Sequence, residues 1–543
     1  MSHLLEIKKL STEFLSDGRW QKAIDQVSLK LDKGKVLAIV GESGSGKSVS
    51  SLSITQLLPK GVGRISEGQI LYEGEIDLSK LSEDKIRSYR SKKIAMIFQE
   101  PMTSLNPIEK CGKQVAEVLR FHFGMNKKEA KEKVLGLFDK VELPEPELIY
   151  DKYPFEISGG QKQRVMIAIA MACEPQVLIA DEPTTALDPA VSASILKLIQ
   201  RIQKETGMGV IFITHDLEML RGFADEIAVM YKGKVIEVGT NEVILNHPKE
   251  KYTKALLACR PPKKGKPYRL PTVDQIMAGT YSPETLGSQP KKNASSSVVI
   301  NVDELKVWYP IKKGILGKIR EYVKAVDGIS FDLLKGETLG LVGGSGSGKT
   351  TLGRAIVGLQ DISSGRVIFE GKDRSSFSRS EIMQFRKKVQ IIFQDPFSSL
   401  NPKMTIGRAI CEPLFAHDMV SSKNEAREKC KTMLNKVGLL AKHIDRYPHE
   451  FSGGQRQRIG IARSLILEPE VIVCDESVSA LDVSVQAQVL NLLNDLKDEF
   501  NLTYLFISHD MDVVRYFSDR VMHMENGKLI AIGKSEEILA VDQ

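Results

Sequence analysis

Val36-Leu37-Ala38-Ile39-Val40-Gly41-Glu42-Ser43-Gly44-Ser45-Gly46-Lys47-Ser48 decides how the rest of the chain is read. Five uninterrupted apolar residues fit a strand buried on both faces, as in a parallel sheet. The glycine-rich turn lets backbone N–H groups converge on a small anion, because glycine reaches conformations closed to other residues. Residues 49–58 then read as a helix, whose N-terminus adds positive potential at the same point. Strand, glycine loop and helix in this order make a phosphate cradle. Gly41, Ser43, Gly44, Ser45 and Gly46 form its wall. Lys47 is placed to reach β- and γ-phosphates, and the Ser48 hydroxyl to ligate magnesium.

The motif occurs twice. Gly343-Gly344-Ser345-Gly346-Ser347-Gly348-Lys349-Thr350 follows a second apolar run. Tyr153-Pro154-Phe155-Glu156-Ile157-Ser158-Gly159-Gly160-Gln161 returns 294 positions later as Tyr447-Pro448-His449-Glu450-Phe451-Ser452-Gly453-Gly454-Gln455. Ala130, Val134, Leu137, Phe138 and Val141 share their spacing with Ala426, Cys430, Met433, Leu434 and Val437. That spacing puts an apolar stripe on one face of a helix, which reads as core. A repeat this long is a duplicated domain. We expect domains at 1–258 and 298–543. The linker at 259–297 is Pro-, Lys- and Ser-rich, with a short helical piece near 273–277. Its basic residues read as a solvated face, or more sharply as a contact for anionic lipid headgroups.

Val177-Leu178-Ile179-Ala180-Asp181-Glu182 is an apolar strand ending in two carboxylates, and Val471-Ile472-Val473-Cys474-Asp475-Glu476 repeats it. Strand C-termini are where parallel sheets bind ligands. Beside a phosphate cradle, the first acid of each pair (Asp181, Asp475) reads as part of a magnesium shell. The second (Glu182, Glu476) reads as the general base that polarises an attacking water.

Composition sets limits. At 543 residues, 42% hydrophobic and 27% charged, the chain has the make-up of a globular protein with large cores. No apolar run approaches the roughly 20 residues of a membrane span, and the N-terminus does not read as a secretory signal. The six cysteines show no CxxC spacing, which argues against zinc and disulfides. A net charge of +7 is small for this length and does not require an anionic partner.

With these residues assembled, the chain resembles the ATP-binding-cassette superfamily over both halves. Ile157-Ser158-Gly159-Gly160-Gln161 and Phe451-Ser452-Gly453-Gly454-Gln455 resemble its signature motif, with Ile157 and Phe451 in place of the usual leucine. Gln99 and Gln394 resemble its Q-loop glutamine, and Ala186-Leu187-Asp188 and Ala480-Leu481-Asp482 its D-loop. His215 and His509 resemble its switch histidine. The resemblance implies an α/β fold of two P-loop NTPase domains. Each would have a mostly parallel sheet core, an antiparallel β part and a helical subdomain. It also implies an intramolecular pseudo-dimer with two sandwiched ATP molecules and Mg2+. Lys47, Gln99, Asp181, Glu182 and His215 would face Ser452 and Gly454. Lys349, Gln394, Asp475, Glu476 and His509 would face Ser158 and Gly160. Gln99 and Gln394 would join Ser48, Thr350 and the two aspartates around the metal. An upstream aromatic would stack on adenine, Phe14 or Trp20 in one half and Tyr309 or Tyr322 in the other.

Phe98-Gln99-Glu100-Pro101-Met102-Thr103-Ser104-Leu105-Asn106-Pro107 and Phe393-Gln394-Asp395-Pro396-Phe397-Ser398-Ser399-Leu400-Asn401-Pro402 narrow the resemblance. They are similar to the ATPase subunits of bacterial oligopeptide, dipeptide, nickel and glutathione importers, above all the fused kind. That implies two transmembrane permease partners docking near the Q-loops, and an extracytoplasmic solute-binding protein. It also implies a peripheral place on the cytoplasmic face of the inner membrane and no nucleic-acid partner. With Cys259 the sole cysteine in the segment 259–297 that follows the first domain, an iron–sulfur site is not expected. The alternative is a tandem-cassette translation factor acting on the ribosome. Such factors carry a long charged helical linker, unlike this irregular, Pro-rich one. A DNA-repair ATPase of the same superfamily would need long insertions that this chain lacks.

Overall fold

The computed structural model describes residues 3–16, 18–99, 104–185, 187–262, 265–282, 297–313, 318–395, 398–479 and 481–539. Glu100, Pro101, Met102, Thr103, Ala186, Pro396, Phe397 and Ala480, which belong to the motifs quoted above, lie outside the described residues, as do 263–264 and 283–296 of the expected linker. The chain divides into two units: Met1–Ala258 with Val273–Thr280, and Cys259–Thr272 with Tyr281–Gln543.

In the first unit, β1 (Leu5–Ser16), β2 (Arg19–Leu31), β4 (Gly63–Tyr72) and β5 (Ile76–Asp77) form an antiparallel sheet in the order β2-β1-β4-β5. The second sheet holds β3 (Val36–Val40), β6 (Ile94–Ile97), β7 (Val177–Asp181), β8 (Gly209–Thr214), β9 (Glu226–Tyr231) and β10 (Lys234–Thr240). Its order is β10-β9-β3-β8-β7-β6, parallel except for β10. Every residue of β3, β7 and β8 is buried, as uninterrupted apolar runs require. One core joins the two sheets, with Leu5, Ile7, Ile24, Val27 and Ile70 packed with Leu37, Ile39, Ile179, Ile211 and Met230.

The second unit repeats this plan. Its antiparallel sheet is β12-β11-β14-β15, with β11 at Val298–Lys313, β12 at Lys318–Leu334, β14 at Ser364–Phe369 and β15 at Lys372–Asp373. The other sheet is β16-β17-β18-β13-β19-β20. It uses β13 (Thr338–Val342), β16 (Val389–Ile392), β17 (Val471–Asp475), β18 (Thr503–Ile507), β19 (Arg520–Glu525) and β20 (Lys528–Lys534).

Each unit carries a helical part between the strand leading to the Q-loop glutamine and the strand ending in two acids. The stripe residues Ala130, Val134, Leu137 and Phe138 are buried on helix Lys127–Lys140, which Asn126 and Glu129 close with a capping box. Ala426, Cys430, Met433 and Leu434 are buried on helix Lys423–Lys436. The helix after the first phosphate loop is Lys47–Ile54, shorter than the expected 49–58. Leu58 precedes Pro59, and a residue before proline is driven out of helical conformation. The expected linker is divided. Cys259–Thr272 packs with the second unit, and helix Val273–Ala278 lies in the first. All six cysteines are buried, and none forms a disulfide among the described residues. Among the described residues no helix is long and apolar enough to cross a membrane.

Candidate functional site

Topology builds the site. In the first unit the phosphate loop leaves the end of β3, His215 follows β8, Asp181 ends β7, and Gln99 follows β6. These four strands are consecutive in the sheet and parallel, with Val40 beside Thr214, Ile213 beside Asp181 and Ala180 beside Ile97. Their C-terminal ends therefore gather residues spread over more than a hundred positions on one edge. The second unit gathers Lys349, Gln394, Asp475, Glu476 and His509 the same way.

The phosphate loops are shaped for an anion. Gly46 caps helix Lys47–Ile54 in a left-handed conformation (φ 102°) with no side-chain cap, so the first-turn N–H groups stay available. A Cβ on Gly46 would lie 2.5 Å from Ile24 Cγ2, and one on Gly41 would overlap the Met230 carbonyl. Gly343 and Gly348 meet the same constraint against Met524 and Ala325. Lys47 Nζ donates to the carbonyls of Gly41 (2.8 Å) and Glu42 (2.9 Å), and Lys349 Nζ to those of Gly343 and Gly344 at the same distances. Both lysines are buried. The hydroxyls of Ser45 and Ser347 are buried without a hydrogen-bond partner among the described residues.

The two acids of each site differ in environment. Ser48 Oγ donates to Asp181 at 3.1 Å, and Thr350 Oγ1 to Asp475 at 2.8 Å. Burial pushes Asp181 up to about 6, against the pull of Ser48 and the charge of Lys47, and raises Asp475 as well. The charge of the neighbouring glutamate adds to the rise in both. Burial would raise Glu182 too, but His215, the charge of Lys47 and Thr185 outweigh it and hold this carboxylate down at about 2. Glu476 is lowered against burial by His509 and Lys349. Glu182 accepts from Gln99 Nε2 (3.0 Å) and Thr185 Oγ1 (3.0 Å), with His215 Nδ1 at 3.5 Å. Glu476 accepts from Gln394 Nε2 (2.7 Å), with His509 Nδ1 at 3.5 Å. Both glutamates sit at φ 47°, a left-handed conformation that costs a non-glycine residue on the order of 1 kcal/mol and concentrates at functional sites.

Sequence reading missed three groups. Thr185 donates to the Glu182 carboxylate, whereas the corresponding Ser479 hydroxyl is buried without a partner among the described residues. Ser51 Oγ approaches Asp181 Oδ2 at 3.4 Å; Gly353 stands at its counterpart, and Asp475 Oδ2 is left buried and, among the described residues, unpartnered. Tyr252 hydrogen-bonds both the backbone N–H and the carboxylate of Glu42, at 3.1 Å each, which ties down the first phosphate loop. Each is a contact between distant segments or a rotamer choice that no local motif encodes.

Ser158 and Ser452 stand at the starts of helices Gly159–Met171 and Gly453–Leu465, each in a capping box with a glutamine, Gln161 or Gln455. Their hydroxyls accept from the N–H groups of Gln161 and Gln455, and among the described residues neither is hydrogen-bonded to its own unit's phosphate loop. A Cβ on Gly160 would lie 2.7 Å from Val191 Cγ1, and one on Gly454 would overlap Val485. Around a Cβ on Gly453 there is open space out to 4 Å. Among the aromatics, Trp20 has its face covered by the Arg64 guanidinium at 4.0 Å, and Phe14 packs against Gly63. Tyr309 donates to Gln360 at 2.9 Å, and Tyr322 lies 6.0 Å from Trp308.

A glycine loop at a helix start, a buried lysine, a paired aspartate and glutamate at a strand end and an adjacent histidine define a P-loop nucleoside triphosphatase. The family model described as ABC transporter matches residues 24–185 and 326–479, so the chain belongs to the ABC transporter family and is an ATPase. It is 45% identical over 540 residues to the glutathione import ATP-binding protein GsiA of Escherichia coli (strain K12), covering 98% of this chain and 86% of that one. It is equally similar, 45% over 540 residues, to the peptidoglycan transport ATP-binding protein YejF of Agrobacterium fabrum (strain C58 / ATCC 33970), covering 99% and 94%. The solved structure of MJ0796, a bacterial ABC transporter cassette, matches 44% of this chain and 98% of its own at 29% identity, with a TM-score of 0.40.

Proposed function

We propose that this chain is the ATPase subunit of an importer for peptides or related small solutes. Its two cassettes, 1–258 and 298–543, would work through two permease proteins and a solute-binding protein at the cytoplasmic face of the inner membrane. The duplicated site, with phosphate loop, acid pair, glutamine and histidine on one sheet edge in each unit, is the observation that carries this reading. The two relatives are transport ATP-binding proteins, which favours transport and leaves the ribosome-acting alternative unsupported.

Asp475 Oδ2, buried and unpartnered among the described residues beside the Thr350 hydroxyl, fits a hard divalent cation. Ser48 with Asp181 and Thr350 with Asp475 would hold Mg2+, with Gln99 and Gln394 nearby. When bound, it neutralises charge on the phosphates. Lys47 and Lys349 exchange loop carbonyls for β- and γ-phosphate oxygens. Glu182 and Glu476, anionic throughout the physiological range, orient and polarise the attacking water while His215 and His509 fix their carboxylates. Ser158, Gly160, Ser452 and Gly454, at capped helix starts, would bind the nucleotide of the opposite cassette. The test is ATP-driven uptake in vesicles carrying the chain and its permeases. Glu182→Gln with Glu476→Gln should abolish both uptake and hydrolysis. Solute uptake that continues without hydrolysis would refute the reading.

A further inference from the structure

Residues 259–272 read as linker from composition, yet Lys266, Tyr268, Arg269 and Leu270 are hydrogen-bonded into the second unit. Asn491 makes two hydrogen bonds with the backbone of Leu270, its Oδ1 accepting from Leu270 N and its Nδ2 donating to Leu270 O, both at 2.8 Å. The Tyr268 carbonyl accepts from Tyr516 OH (3.1 Å) and from Asn494 Nδ2 (3.4 Å), and Asn494 Nδ2 also reaches Tyr516 OH (3.3 Å). Tyr268 OH donates to Asp498 at 2.6 Å, Arg269 pairs with Asp495, and Lys266 Nζ donates to Ser518 O at 2.7 Å. Leu270 is 1% exposed.

The partners come from two helices. Asn491, Asn494, Asp495 and Asp498 lie on Val483–Phe500, whose N-cap is Asp482; Tyr516 lies on Met511–Phe517, which starts two residues after His509. Asp510, the cap of that second helix, accepts from the N–H groups of Asp512 and Val513 at 2.9 and 3.1 Å. Burial pushes its carboxyl up, and the charge of Arg260 draws it back.

The acceptor surface is particular to this unit. The positions equivalent to Asn491, Asn494, Asp495, Asp498 and Tyr516 in the first unit are Lys197, Gln200, Arg201, Lys204 and Gly222. A strap carrying Arg260, Lys266 and Arg269 meets acidic and amide groups in one unit and would meet cations in the other. Arg201 is committed elsewhere, donating to Lys140 O at 2.6 Å. The first unit's switch segment also has no such helix, only the short turn Glu218–Leu220.

We propose that the described residues of 259–272 are a positioning strap of the second ATPase unit, holding the helix that leaves Asp482 against the helix that follows His509 and so fixing that histidine for hydrolysis. The proposal rests on the assignment of Glu182, Glu476 and His509 given under Proposed function. Asn491→Leu removes two bonds to the strap at nearly constant volume, and Arg269→Asp reverses a strap charge that Asp495→Arg restores. Amide hydrogen exchange of the full chain reads the strap without reference to catalysis. Each single variant should speed exchange over 509–517 and leave 215–222 unchanged, and the Arg269→Asp Asp495→Arg double variant should return it to the parent rate.

Single-turnover hydrolysis then reads the consequence. With Glu182→Gln in place, the strap variants should lower the second site's rate roughly tenfold with little change in ATP affinity. With Glu476→Gln in place, the remaining rate should not move. Unchanged exchange over 509–517, or equal rate losses in the two backgrounds, overturns the strap. Turnover that survives Glu182→Gln with Glu476→Gln overturns the assignment of the bases instead.

Discussion

Gly160 and Val191 approach so closely that a single methyl group on the glycine would lie 2.7 Å from Val191 Cγ1. The second glycine of the signature sequence is thus required by the packing of helix Gly159–Met171 on helix Pro189–Thr206, whatever else it does. Gly454 and Val485 repeat the relationship. Gly160→Ala should destabilise the first unit by about 1–3 kcal/mol through overpacking. Val191→Ala in the same chain should recover most of that loss, read as the midpoint of thermal unfolding. A Gly160→Ala protein that is fully stable yet inactive would instead place the glycine's importance at the nucleotide alone.

Lys47 and Lys349 each hold two carbonyls of their own loop, bonds that a nucleotide must replace. The lysine therefore arrives at phosphate already buried and oriented. Lys47→Ala and Lys349→Ala should each reduce ATP stoichiometry from two to one, and the pair should bind none at concentrations that saturate the parent. Equilibrium binding decides this, and two full-affinity sites in the double variant would contradict it.

Much of the site could be read from the chain because its residues fall at strand ends, where a short apolar run announces the strand and the next one or two residues carry the chemistry. Val36–Val40 before the phosphate loop and Val177–Asp181 before Glu182 are such cases. The helical stripe through Ala130 and Phe138 was equally legible, since burial there follows helical period. Groups that act through a distant partner were not. Tyr252 reaches Glu42 across 210 positions, and Leu270 pairs through its backbone with Asn491. Neither contact leaves a periodicity, and a Pro- and Lys-rich composition concealed the second. The motif alone points Gly160 at nucleotide, while its packing against Val191 joins two helices that no local pattern links.

Asp181 and Glu182 should make opposite contributions to stability. The folded pKa of Asp181, about 6, lies above its ordinary 3.8. Between those values the folded chain holds a proton that the unfolded chain releases, so stability falls as pH rises through that window and stays reduced above it. Glu182, at about 2 against an ordinary 4.5, stabilises the fold above its ordinary value and loses that contribution as pH falls towards 2. In nucleotide-free protein near pH 7.5, Asp181→Asn should stabilise and Glu182→Gln destabilise, each by about 1–3 kcal/mol. The Asp181→Asn gain should shrink near pH 5, within about one unit of the folded value. Chemical unfolding of the two variants at both pH values checks the signs, and two shifts of the same sign would refute the assignment.

Both sites should hydrolyse ATP, although their surroundings differ. Neither has lost a base, a histidine or a glutamine: Glu182 and Glu476 each follow an aspartate, and each lies 3.5 Å from a histidine nitrogen and within hydrogen-bond reach of a glutamine amide. The differences lie one contact further out. Thr185 donates to Glu182, while the Ser479 hydroxyl has no partner among the described residues. Tyr252 grips Glu42, where the second loop has Gly344. These contacts restrain the first site more than the second without removing a reacting group, so they affect rate and leave competence intact. Glutamine at either position keeps the shape but cannot take up a proton, so ATP should stay bound at that site unhydrolysed. Glu182→Gln and Glu476→Gln should each retain single-turnover hydrolysis of about one ATP per assembled transporter, lowered from two, with the surviving rate higher in Glu182→Gln. Thr185→Ala should then raise the first site's rate in the Glu476→Gln background by a few-fold, since it frees the Glu182 carboxylate from one of its donors. A variant that keeps full two-site turnover while its counterpart is dead would show one site to be inert.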